Sequence, residues 1–160
     1  MPNFKESEAR IPIIVLVVED DEALNRLIQK TLQRADFRTE GALNGVDAIA
    51  KAVKHPNAIL LLDYLLSDMT GWEVIATLAK RKRSVPFIVM TGHGAEKVAV
   101  EMMKLGARDY LVKDPGFVNI LPQLVRKVCD ELDKEKRLVR TKEALQRLEH
   151  LLSKSQSPIY

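Results

Sequence analysis

Short apolar runs alternate five times along the chain with segments whose apolar residues recur at helical spacing. Residues 13–18 are a β-branched run and predict a buried strand. Residues 22–34 follow with Leu24, Leu27, Ile28 and Leu32 on one helical stripe. Residues 37–43 predict a second strand nearer a sheet edge, because polar residues interleave with apolar ones. Val46, Ile49, Ala50 and Val53 mark a second helix that His55-Pro56 stops. Residues 58–62 predict another fully buried strand. A third helix opens at Gly71 with Val74, Ile75, Leu78 and Ala79 as its stripe. Residues 85–90 predict a fourth strand, 95–105 a fourth helix (Val98, Ala99, Met102) ended by Gly106, and 108–112 a fifth strand.

Strands separated by helices of about 10–15 residues need crossover connections, hence a parallel sheet covered on both faces. The first and third strands are the most apolar and belong in the centre. A five-stranded doubly wound α/β sheet in the order 2-1-3-4-5 satisfies this and opens a cleft where the strand order reverses, at the carboxyl ends of the strands.

The pattern changes after residue 116, beyond which no glycine occurs. Leu121, Val125, Val128 and Leu132 make one stripe. Leu138, Leu145, Leu148 and Leu152 make a second with a seven-residue step, which suggests a coiled-coil seam. The division expected is an N-terminal extension over 1–11, a domain over 12–132 whose last helix (117–132) packs on the sheet, a helical extension over 133–152, and a linker over 153–160. The second stripe has nothing in its own domain to cover it, so a homodimer through the C-terminal helix is expected, with a solvated helix as the alternative.

Composition narrows the class. The chain has 160 residues, 46% hydrophobic and 29% charged, an ordinary globular balance. No apolar run approaches the ~20 residues of a membrane-spanning helix. The first ten residues, with two glutamates and no apolar core, match neither a secretory signal nor a transit peptide. One cysteine, Cys129, rules out an internal disulfide, and no Cys/His cluster has zinc spacing. A cytoplasmic protein without a membrane segment is expected. Residues 1–118 hold 16 basic and 16 acidic residues, and residues 119–160 hold 9 and 6, so the net charge of +3 sits wholly in the tail. That excess is modest for a phosphate-backbone binder, and no direct nucleic-acid contact is expected.

The predicted strand ends carry the chemistry. The first ends in Glu19-Asp20-Asp21, the third in Asp63, the fourth in Thr91 and the fifth in Lys113. Clustered carboxylates repel one another unless a cation is present. Oxygen ligands with retained water suit Mg²⁺, commonly held by one or two carboxylates and a phosphate. A hydroxyl (Thr91) and an ammonium (Lys113) are donors suited to phosphoryl oxygens.

The segments VLVVEDDEALNRLI, LLLDYLLSDMTGWEV, IVMTGHG and GARDYLVKD resemble, in order and spacing, the receiver domain of bacterial two-component response regulators, over about residues 12–130. The 2-1-3-4-5 order is that of a chemotaxis member of this flavodoxin-like fold. The resemblance implies a signalling phosphoacceptor rather than an enzyme in the usual sense, though one that promotes its own phosphorylation and dephosphorylation. Asp63 would accept a phosphoryl group from a sensor histidine kinase or phosphotransfer protein. Asp20 would bind Mg²⁺ directly, Glu19 would support it, and Leu65 would offer its main-chain carbonyl. Thr91 and Lys113 would hold the phosphoryl oxygens, and Tyr110 would be the switch aromatic that turns inward as Thr91 moves. The output surface would be the fourth helix, fifth strand and fifth helix.

Some positions depart from the family pattern. Asp114 stands between Lys113 and Pro115, where proline commonly follows the lysine directly. Ser67 replaces a frequent proline and Thr70 a frequent acid. Leu65 and His93 border the site. Asp21 and Glu22 read as first-turn helix residues rather than ligands, and His93 and His150 as solvent-facing. A dehalogenase-type phosphatase would need an aspartate where Leu65 stands, and a dinucleotide binder a glycine-rich first turn. A degenerate receiver serving only for binding or dimerisation is the alternative, disfavoured by the full set of acids, threonine and lysine. The tail leaves two outputs open, a standalone dimerising regulator or a helix leading into a downstream effector domain.

Overall fold

The computed structural model describes residues 12–155. Five parallel strands, β1 (Ile14–Val18), β2 (Arg38–Ala42), β3 (Ala58–Asp63), β4 (Phe87–Thr91) and β5 (Asp109–Val112), form one sheet in the order β2-β1-β3-β4-β5. Four helices occupy the crossovers: α1 (Glu22–Arg34), α2 (Gly45–Lys54), α3 (Gly71–Lys80) and α4 (Glu96–Lys104). β3 is buried along its whole length, as expected of a central strand with both faces covered. Alternate residues sort to the two faces. Leu16, Val18, Leu60, Leu62, Phe87 and Val89 join Ala48, Ala52, Val74, Leu78 and Met102 in one apolar cluster. Val15, Val17, Ile59, Leu61, Ile88 and Met90 are buried outside it, as are Ile28 and Leu32 of α1.

Some helix faces differ from the periodicity. In α2 the buried residues are Gly45, Ala48, Ile49 and Ala52, while Val46 is 64% exposed and Ala50 faces solvent. Gly45, Ala48, Ile49 and Ala52 share one face at three- and four-residue steps, and Val46 falls off that face. In α1 the buried set is Asn25, Ile28 and Leu32, and Leu27 is exposed. In α3, Val74 and Leu78 are buried and Ala79 is exposed. The Asp21 carboxylate accepts from Leu24 N at 3.0 Å and caps α1. Thr70 caps α3 in a reciprocal box with Glu73, so a threonine does local work where the family often has an acid.

Two compact units divide the chain between Pro122 and Gln123. The tail departs from expectation at its start, where Phe117–Asn119 is a short 3-10 turn, and then follows it, with α5 running without a break from Leu121 to Ser155 as the extended C-terminal helix. Pro122 falls in the first turn, where its missing N–H costs no helical bond. Ser153 and Ser155, expected in a linker, extend the helix instead, their hydroxyls donating to the carbonyls of His150 (2.9 Å) and Leu152 (2.8 Å). Val125 and Val128 are buried, and every residue from Lys134 to Ser155 is exposed, including Leu138, Leu145, Leu148 and Leu152. The expected extension over 1–11 and the end of the expected linker, 156–160, lie outside the described residues. No helix among the described residues is long and apolar enough to cross a membrane.

Candidate functional site

Strand register delivers the site. Val18 of β1 pairs with Leu62 of β3, Asp63 with Met90 of β4, and Thr91 with Val112 of β5. The residues that follow, Glu19 and Asp20 after β1 and Lys113 after β5, therefore arrive at one edge together with Asp63 and Thr91, the last residues of β3 and β4. Main-chain bonds fix this edge: Glu19 N donates to Ala42 O (3.1 Å), Tyr64 N to Met90 O (3.0 Å) and Lys113 N to Thr91 O (2.8 Å).

Carboxylate oxygens of Glu19, Asp20 and Asp63 all lie within 4.8 Å of one another. Glu19 is 1% exposed and Asp63 6%, whereas Asp20 faces solvent. The Lys113 ammonium reaches Glu19 Oε1 at 2.7 Å and Asp63 Oδ2 at 2.9 Å, and the other Glu19 oxygen accepts from Asp20 N at 3.1 Å. Burial, reinforced by the contact with Asp63, pushes the Glu19 carboxyl up to about 8 against the pull of Lys113. Burial also works against the Lys113 charge, but its hydrogen bonds to Glu19 and Asp63 win and its pKa is raised. The two directions agree physically: two carboxylates share one ammonium, the ammonium stays charged, and the more buried acid takes the cost. Ionised together, three carboxylates against one ammonium would leave two negative charges uncompensated, and the raised Glu19 pKa is the resistance to that state. An all-oxygen donor set with that deficit, open to water at Asp20, fits a hard divalent cation.

The remaining sequence candidates are placed more loosely. Thr91 is buried at the end of β4. Leu65 lies two residues past Asp63, in a loop closed by a bridge between Leu65 and Thr70, with its side chain 68% exposed. Tyr110 sits lower on β5, beside Val89 of β4. Tyr110 is 46% exposed and lines a groove of about 420 Å³ with Ala99, Val100 and Met103 of α4.

Two supporting residues, Asn25 and Asp68, escaped the sequence reading, and a third, Asp114, was noted there without its partner. The buried Asn25 amide stands 3.0–3.1 Å from the carbonyls of Val17, Glu19 and Ala42, which ties the ends of β1 and β2 beneath the acidic pair. Its signal was its spacing, three before Ile28 and seven before Leu32. Asp68 accepts from Gly45 N (2.8 Å) and Val46 N (3.0 Å), which anchors the loop after β3 to the start of α2. The Gly45 bond is the main reason its carboxyl titrates below the usual range. Asp114 pairs with His93 across two loops.

Residues 15–124 match the family described as response regulator receiver domain. The acid tolerance regulatory protein ActR of Rhizobium meliloti (strain 1021) is 35% identical over 119 residues, which is 74% of this chain and 61% of that protein. The transcriptional regulatory protein CusR of Escherichia coli (strain K12) is 30% identical over 110 residues, 69% of this chain and 48% of that protein. The chain thus spans about half to three-fifths of the length of these curated relatives. A solved response regulator receiver domain protein (CheY-like) from Methanospirillum hungatei JF-1 has a TM-score of 0.70 at 26% identity, covering 78% of this chain and 98% of that one. A fold of this order and a match over most of its length lead to one conclusion: the chain belongs to the response regulator receiver domain family.

Proposed function

We propose that this receiver domain accepts a phosphoryl group on Asp63 from a sensor histidine kinase or phosphotransfer protein, in a Mg²⁺-dependent reaction in the cytoplasm. The observation that carries the reading is the Lys113 ammonium shared between Glu19 and Asp63, with Asp20 beside them. Glu19, Asp20, Asp63 and the Leu65 main-chain carbonyl would hold the metal. When bound, Mg²⁺ supplies the positive charge that lets an anionic phosphoryl group approach a carboxylate.

The chain's own groups do the rest by position. An Asp63 carboxylate oxygen forms the new P–O bond as the donor's P–N bond breaks, and the electron pair of that bond returns to the donor imidazole. Lys113 and the Thr91 hydroxyl donate to phosphoryl oxygens, and the same groups serve the reverse loss of phosphate to water. Movement of Thr91 toward the phosphoryl group would let Tyr110 leave its groove and turn inward, changing the face formed by α4 and β5. The domain is taken to cover residues 12–132, with 133–152 as the extension that pairs two copies or leads into an effector domain. The binding-only alternative is disfavoured because acids, threonine and lysine are all present. Labelling with a low-molecular-weight phosphodonor, with and without a chelator, tests this reading.

A further inference from the structure

The loop between β4 and α4 reads Gly92-His93-Gly94-Ala95, and a Cβ placed on either glycine would meet nothing within 4 Å. Gly94 has a φ of 79°, a left-handed conformation that favours glycine, so the loop that carries His93 is built on glycine geometry. The His93 imidazole Nε2 pairs with Oδ1 of Asp114, in the loop after β5. Asp114 follows Lys113 directly. Its amide donates to Val112 O (2.8 Å) and its carbonyl accepts from Phe117 N (3.0 Å), so the carboxylate stands on a hydrogen-bonded turn. The two loops are therefore joined twice, by the main-chain bond from Lys113 N to Thr91 O and by this side-chain pair. Proline would have stiffened the position after the lysine by its ring, and a residue with a carboxylate reaches the neighbouring loop instead.

We infer that the His93–Asp114 pair is a clasp that positions Lys113 for phosphoryl transfer. The inference rests on the reading of Asp63 and Lys113 given under Proposed function. His93 and Asp114 are positioning residues: both act through the loop that carries the ammonium.

The experiment is a double-mutant cycle on the full chain with His93→Ala, Asp114→Ala and the pair, plus His93→Gln, which keeps an N–H donor of similar reach. Both side chains are exposed, so folding is not at stake. Two readouts are taken: amide hydrogen exchange at Lys113, and the rate of phosphoryl incorporation from acetyl phosphate. A clasp predicts faster Lys113 exchange and phosphorylation slowed about two- to fivefold in each alanine variant, the range an exposed pair supports. The double variant would be no worse than either single one, and His93→Gln would recover most of the loss. Independent, additive effects, no change at Lys113, or no rescue by Gln would overturn it. A wild-type chain that takes no phosphoryl group would instead overturn the site reading and with it the purpose of the clasp, while exchange at Lys113 still reports the tether.

Discussion

The side-chain amide of Asn25 donates to the main-chain carbonyl of Glu19 at 3.0 Å, so α1 holds the acidic end of β1 from below. The same nitrogen serves the Val17 and Ala42 carbonyls, and Asn25 Oδ1 accepts from Gln29 at 2.7 Å. Asn25→Ala should cost about 2 kcal/mol, because a buried amide that ties three carbonyls is lost, while Ala42 O keeps only its bond from Glu19 N. Urea unfolding should show a lower midpoint at unchanged slope. An unchanged midpoint would mean that the amide is dispensable to the strand ends.

Gly45 opens α2 against Met69, and a Cβ at position 45 would stand 2.3 Å from Met69 Cγ. Gly45→Ala should destabilise by about 1–3 kcal/mol through overpacking. Met69→Ala in the same chain should remove most of that strain, so the double variant should be less damaged than the sum by about 1 kcal/mol or more. Strict additivity in unfolding would show that the contact is not the cause.

These two cases show what a sequence makes legible. Strands β1, β3 and β4 stand out because runs such as Ile59 to Leu62 can only be buried, and the ends of β1, β3, β4 and β5 then name Glu19, Asp20, Asp63, Thr91 and Lys113 by position. Local swaps are harder to read. Val46 looks like a core residue by hydropathy, yet the buried face is set by Ala48, Ile49 and Ala52, and Val46 falls off it. Asn25 looks like a surface residue because its three partners are carbonyls, which every residue carries and no pattern marks. The extension of α5 through Ser155 runs over serines that composition alone assigns to a linker, their hydroxyls bonding back to helix carbonyls.

Cys129 is half-buried on α5, and burial, aided by Asp133 and Asp130, pushes its thiol up to about 11. At pH 8 it should carry roughly a hundredfold less thiolate than a thiol titrating near 9 and alkylate correspondingly slowly. The sign for stability follows: a folded pKa above the unfolded one contributes stability that is present below about pH 9 and lost as pH rises through 11. Iodoacetamide rates across pH 7–11 check this, and a plateau reached by pH 9 would contradict it.

Leu138, Leu145, Leu148 and Leu152 are exposed along one stretch of α5. If that stretch pairs two copies, Leu145→Glu with Leu148→Glu should lower the solution mass to that of a monomer by light scattering. An identical mass for both proteins would remove the seam.

The central claim is that Asp63 takes the phosphoryl group in the site it shares with Glu19, Asp20 and Lys113. Intact-mass measurement after incubation with acetyl phosphate and Mg²⁺ tests it most directly. The account predicts one phosphoryl group on the wild-type chain, none on Asp63→Asn, and none on the wild type once the metal is chelated. Undiminished labelling of Asp63→Asn would contradict it.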